Sequence, residues 1–272
     1  MRYALVGGKR FRAFLALESA KLFQVPEETA IRPAMAIEAM HAYSLVHDDL
    51  PCMDDDDFRR GQPTVHKKWD EATAVLAGDA LQALAFELAL HPYGKFGEEK
   101  STVGSDTQRA HFAFMLAMSA GNGGMVKGQA LDIAAENAKE PLSLDDILDL
   151  QAHKTGKLIE LPCLVGPYFT NIPDLADHHS TERMGLYGHK IGLAFQIADD
   201  ILDVEGDAAT VGKAVGKDAG AGKATFVSHL GLDGAKRRAQ ELVTEAIECL
   251  SIYGDEAETL REAARFVISR QS

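Results

Sequence analysis

Two aspartate-rich stretches, each closing an apolar run of helical periodicity and far apart in the chain, constrain this sequence more than any other feature. The first is His41-Ala-Tyr-Ser-Leu-Val-His-Asp-Asp-Leu-Pro-Cys-Met-Asp-Asp-Asp-Asp-Phe-Arg-Arg-Gly61, which sets six carboxylates (Asp48, Asp49, Asp54, Asp55, Asp56 and Asp57) before Arg59 and Arg60. Hard oxygen ligands suit Mg²⁺, which shares its remaining positions with water and substrate phosphates, and the guanidinium fork matches phosphate oxygens. An acidic run taken alone is most often a solvated turn. The second stretch, Gln196-Ile-Ala-Asp-Asp-Ile-Leu-Asp203, puts Asp199 and Asp203 on one helix face with Gln196 close to it. Two such stretches read together as facing walls of a multi-metal clamp for a diphosphate leaving group.

Spacing sharpens the first motif. Asp48 and Asp49 are separated from Asp54 by Leu-Pro-Cys-Met, and undistorted helix would turn Asp54 away from Asp48. Pro51 interrupts the hydrogen-bond ladder, so we expect a helix ending near Asp49, followed by an irregular turn that returns Asp54 to the metal.

Three further motifs accompany these: Gly7-Gly8-Lys9-Arg10-Phe11-Arg12 near the start, Lys154-Thr155-Gly156 in the middle, and Thr210-Val-Gly-Lys213 after the second acidic stretch. With all five in this order the chain resembles the trans-isoprenyl diphosphate synthases, most closely the bacterial farnesyl diphosphate synthases. The match runs to about Lys223, with a looser helical tail behind it. The resemblance implies an all-α bundle of long helices around a central cavity, and a homodimer. It implies condensation of isopentenyl diphosphate with dimethylallyl or geranyl diphosphate to (2E,6E)-farnesyl diphosphate. A geranylgeranyl (C20) product is the alternative.

Composition agrees with such an enzyme. With 272 residues and 46% hydrophobic content the chain can bury a large core, and no Gly/Ser/Pro linker divides it, so we expect one domain over 1–272. A net charge of −13 argues against nucleic acid and anionic membrane partners. Cys52, Cys163 and Cys249 show no metal-ligand spacing, which points to a reducing compartment and a cytoplasmic location. No apolar run is read as long enough for a membrane span. Met1-Arg-Tyr-Ala-Leu-Val leads almost directly into the glycine motif, so the N-terminal helices of the family look short or missing.

Individual residues take roles from both sources. Lys9 and Arg12 lie three apart at a helix start, where backbone N–H groups favour an anion. The resemblance makes them, with Gly8, His41 and Arg60, the binders of isopentenyl diphosphate. His41 shares a face with Asp48; without the resemblance, a histidine in an apolar helix is most often structural, as we read His47. For the allylic diphosphate the resemblance implies Arg59, Lys154, Thr155, Gln196, Lys213 and Lys223, with oxygen dipoles of Thr155 and Gln196 meeting the developing cation. The metal set is Asp48, Asp49, Asp54, Asp199, Asp200 and Asp203, holding Mg²⁺, three ions with substrate bound. Tyr43, a turn and a little more before Asp48, would be a floor under the growing chain; an aromatic there goes with a C15 product in the family, while composition alone would equally make it core. Gly156 in mid-helix suggests a local irregularity.

Other readings fare worse. His47-Asp48 could belong to a metal phosphohydrolase, but such a site has no use for the second motif. A terpene cyclase normally carries Asn and Ser in its second metal motif, and an inactive partner subunit tends to lose one acidic motif.

Overall fold

The computed structural model describes residues 1–92, 104–136, 138, 140–205 and 224–270. Helices dominate the described residues, as expected, and the only strands among them are Phe58–Arg59 (β1) and Gln62–Pro63 (β2), an antiparallel pair closed through Arg60 and Gly61. The chain runs α1 (Phe11–Leu22), α2 (Glu27–Asp48), the hairpin, α3 (Val65–Lys68), α4 (Glu71–Leu90), α5 (Asp106–Ala120), α6 (Met125–Glu136) and α7 (Leu144–Gln151). A π-helical turn, Ala152–Gly156, leads into α8 (Lys157–Cys163) and α9 (Val165–Phe169). Then come α10 (His178–Glu205), α11 (Phe226–Cys249), a 3₁₀ turn (Ser251–Ala257) and α12 (Glu258–Ser269).

Local chemistry sets many of these boundaries. Asp70, Ser105, Ser143 and Thr225 accept from backbone N–H groups of the first turns of α4, α5, α7 and α11, each satisfying a donor that the helix leaves unpaired. The second motif helix starts at His178, where Asp177 accepts from Ser180 N–H at 2.6 Å. Lys9 lies outside α1: Arg10 intervenes in the left-handed region (φ 54°), so Lys9 and Arg12 share a turn entrance but not a helix face.

α2 lies against α1 and α4, and α10 against α8 and α11. Small residues allow the closest approaches. A Cβ on Gly78 of α4 would fall 2.0 Å from His47 Nε2, and one on Gly188 of α10 only 2.7 Å from Glu160 Cα. The core between the helices includes Leu15, Phe23, Ile37, Met40, Leu81, Ile159, Tyr187 and Ile191, all essentially inaccessible. Tyr187 keeps its hydroxyl satisfied there by donating to Leu260 O at 2.7 Å.

One expectation changes. By length and composition alone α4 could cross a membrane, with mean hydropathy 1.4 over its best window. It nonetheless carries Asp79 in mid-helix, 4.0 Å from His47 of α2.

Candidate diphosphate and metal site

The first acidic motif behaves as Pro51 requires. α2 ends at Asp48, and Asp54 N–H donates to Asp48 O at 2.8 Å across the turn, with Asp55 left-handed (φ 48°). The two carboxylates expected to act together are thereby tied by a main-chain bond.

The six aspartates then divide. Asp49, 3% exposed, accepts from Arg59 Nε at 2.8 Å and from Nη2, and Asp56 accepts from the same Nη2 at 3.2 Å. Asp55 and Asp57 face Lys67 Nζ at 3.8 and 2.8 Å. Asp48 and Asp54 have neither an ion pair nor a side-chain hydrogen bond among the described residues. Burial raises the Asp48 carboxyl to about 6, with Lys154 opposing and Asp54 and Asp49 adding repulsion. Two crowded carboxylates with no ion pair among the described residues fit a divalent cation. Asp49 does not share that position: helix rotation of one residue turns it inward, where it anchors Arg59.

On α10 the same division recurs. Asp200 is buried, accepting from Phe226 N–H at 2.9 Å and from Gln196 Nε2 at 3.2 Å, so it pins the start of α11. Asp199 accepts from Arg270 at 2.8 Å, and Asp203 lies one turn further along, half-buried. No group of three or more His, Cys, Asp or Glu is gathered to hold an ion among the described residues. Mg²⁺ suits such an open set, since it keeps waters and shares its positions with substrate phosphates.

Thr155 sits in the π turn, which is the irregularity Gly156 suggested. Its hydroxyl donates to Gln196 Oε1 at 3.2 Å, extending a chain from Asp200 through Gln196 that fixes both oxygens. Close packing makes this possible: a Cβ on Gly192 would meet Gly156 Cα at 3.1 Å, and one on Gly128 would meet Lys154 N at 2.1 Å. Lys154 Nζ is 2.5 Å from Asp132 Oδ2, a partner the sequence did not announce.

A cationic group lies beside this acidic one. Gly7 and Gly8, both at φ 78°, wrap the Arg60 side chain, which donates to Gly7 O at 3.3 Å. A Cβ on Gly8 would sit 2.6 Å from Arg60 Cζ. His41 is held well below its usual range by burial and then by Arg12, Arg60, Arg59 and Arg10, so it is neutral at physiological pH. Burial lowers Arg12 too, with Glu38 and Asp199 opposing and Arg60 adding to the drop. Arg12 Nε is buried with no hydrogen-bond partner among the described residues. Glu38 is committed to Arg10 at 3.0 Å and to Ala13 N–H at 3.1 Å. Two guanidinium groups without an ion pair among the described residues, Arg12 and Arg60, beside a neutral histidine fit an anion. A cavity of about 60 Å³ lies behind Arg59 and Arg60, bounded by Tyr3, Gly7, Asp49 and Thr64.

Tyr43 is 8% exposed, its ring edge-on to His47 at 5.4 Å. Lys213 and Lys223 lie outside the described residues. The partners of Arg270, Asp132 and Asp56 escape a reading of the sequence, because each lies far along the chain or is reached through a local bend.

The polyprenyl synthetase family description matches residues 1–263. The chain is 43% identical over 273 residues to a farnesyl diphosphate synthase of Haemophilus influenzae, covering 100% of this chain and 88% of that one. Among solved structures, an FPP/GFPP synthase from Zymomonas mobilis is 45% identical with a TM-score of 0.84, covering 97% of this chain and 87% of the other. A geranyltransferase from Helicobacter pylori complexed with magnesium and isoprenyl diphosphate is 36% identical with a TM-score of 0.80, covering 97% and 83%.

Proposed function

Because the chain belongs to the polyprenyl synthetase family and is a prenyltransferase, we propose that it condenses isopentenyl diphosphate head-to-tail with dimethylallyl and then geranyl diphosphate, releasing (2E,6E)-farnesyl diphosphate. The observation that carries this reading is the sorting of the six aspartates. Four are matched to Arg59 or Lys67, and the two with no ion pair among the described residues, Asp48 and Asp54, are joined through the backbone.

Asp48, Asp54 and Asp199 would hold Mg²⁺, three ions in the loaded enzyme, with Asp203 alongside. Mg²⁺ held by these carboxylates would supply positive charge to the allylic diphosphate and so ease its departure. Lys154 and Arg59, released from Asp132 and Asp49 or shared with them, bind the same leaving group, as Lys213 and Lys223 would. Thr155 and Gln196 present fixed oxygen dipoles to the allylic cation, oriented beforehand by Asp200 so that little reorganisation is needed. Gly8, Lys9, Arg12, His41 and Arg60 hold the diphosphate of isopentenyl diphosphate, the double bond of which attacks. The departing diphosphate takes the proton, which explains how the reaction runs without a side-chain base.

A homodimer is part of this reading. Val75 and Leu76 of α4, Phe114 and Met118 of α5, and Val126 and Ile133 of α6 are apolar and exposed in the single chain, the composition expected of an interface with a second copy. A longer product is the second reading, favoured by the neighbour named for both FPP and GFPP. The test is a product assay of the purified chain with Mg²⁺, isopentenyl diphosphate and either allylic diphosphate, sized after dephosphorylation. A dominant C15 alcohol supports the proposal, C20 or longer replaces the product, and diphosphate release without extension refutes the reaction.

A further inference from the structure

Arg270 follows the last residue of α12, leaves helical geometry (φ −66°, ψ 148°) and folds back into the protein. Its side chain is 6% exposed. Nη2 donates to Asp199 Oδ1 at 2.8 Å and to Phe195 O at 2.9 Å, and Nε donates to Val267 O at 3.1 Å. The guanidinium carbon lies 3.6 Å from the centroid of the Phe195 ring, which stacks in turn on Phe11 of α1 at 6.0 Å. Two carbonyls, a carboxylate and an aromatic face fix the group on several sides. A surface cation that swings with solvent would show none of this.

The bond to Asp199 takes only Oδ1; the other carboxylate oxygen has no hydrogen bond among the described residues. Asp199 sits on α10 near the end of that helix, about a third of its side chain exposed, and Arg270 is its ion-pair partner among the described residues. Two effects of Arg270 oppose one another. Its charge repels a cation, and its bond removes the freedom of the ligand. When a diphosphate is present the site has anionic charge in excess, so the repulsion is offset while the orientation is kept.

We propose that Arg270 is a positioning residue of the second metal motif: it holds the Asp199 carboxylate by one oxygen so that the other is presented to a divalent cation and its diphosphate, making the end of α12 part of the site. This rests on the reading of Asp199 as a metal ligand given above.

The experiment measures Mn²⁺ binding by the loss of its free-ion electron paramagnetic resonance signal, in the presence of inorganic diphosphate, for the full chain. Arg270→Gln is expected to weaken Mn²⁺ binding roughly 10–100-fold, the range seen when an outer partner of a metal ligand is removed. Arg270→Lys, which keeps the charge but cannot serve both Asp199 and Phe195, is expected to fall between the two. If Arg270→Gln does not fold, the lysine variant decides. Arg261→Gln serves as control, because Arg261 stays on the same helix but donates to Leu250 O and Gly254 O; it is expected to bind like the native chain. Native affinity in both Arg270 variants, or an equal loss in Arg261→Gln, would overturn the assignment. A native chain that binds no Mn²⁺ with diphosphate would overturn it too, and would locate the failure in the metal-ligand reading itself.

Discussion

Replacing Asp48 by Asn should stabilise the metal-free protein while removing its activity. Burial and two neighbouring carboxylates raise the Asp48 carboxyl from 3.8 to about 6, against the pull of Lys154 and Arg59. The sign follows from proton binding. Between those values the folded state holds the proton more tightly than the unfolded chain, so stability falls as pH rises through that window, and the penalty is fully present above it. The difference corresponds to about 3 kcal/mol at neutral pH; allowing for partial solvent screening, we expect ~1–3 kcal/mol. An isosteric amide removes the charge and the penalty. For a chain of this size that raises the melting temperature at pH 7.5 by roughly 2–5 °C. Near pH 4 the native chain and the variant should melt alike. Calorimetry across pH in the presence of a chelator measures both. Adding Mg²⁺ with diphosphate should stabilise the native chain strongly and the variant little, and kcat/KM should drop by more than about 100-fold in the variant. A variant that melts lower than the native chain at pH 7.5, or a native curve that does not rise as pH falls from 7 to 5, refutes the argument that Asp48 is held charged without a partner.

Other substitutions follow from geometry already described. Gly8→Ala must hold φ 78° and press on Arg60, which costs about 1–2 kcal/mol of stability and should raise KM for isopentenyl diphosphate more than KM for the allylic substrate, read from initial rates. Gln196→Leu breaks the link between Thr155 and Asp200, and should lower kcat roughly 10–100-fold with little change in KM; an unchanged kcat would remove the dipole role. Tyr43→Ala opens space under Asp48 and should lengthen the product beyond C15, measured by sizing the dephosphorylated alcohols; an unaltered product would leave Tyr43 as core. Gly78→Ala drives a methyl into His47, with a stability loss of about 1–3 kcal/mol expected from overpacking and visible as a lower denaturant midpoint.

Much of this architecture was legible from local pattern. Pro51 announced the bend that ties Asp54 to Asp48, and Gly156 announced an irregularity where the π turn lies. What escaped was the choice among chemically identical neighbours. Asp48 and Asp49, like Asp199 and Asp200, read alike in one dimension, yet one residue of helix turns each pair through about 100°. One member then meets the site, and the other meets Arg59 or the start of α11. Arg270 escaped for the related reason that its partner is 71 residues away.

The β1–β2 hairpin places consecutive residues in opposite services. Arg59 ends a strand and turns to Asp49 and Asp56, while Arg60, left-handed at φ 53°, turns back to Gly7. On the proposed reading each arginine answers to a different substrate, yet their Cα atoms are separated by a single trans peptide, about 3.8 Å. The gap between the two headgroups is therefore gauged by covalent geometry. Breathing of the surrounding helices would carry donor and acceptor together, keeping the reacting carbons in range while the bundle moves.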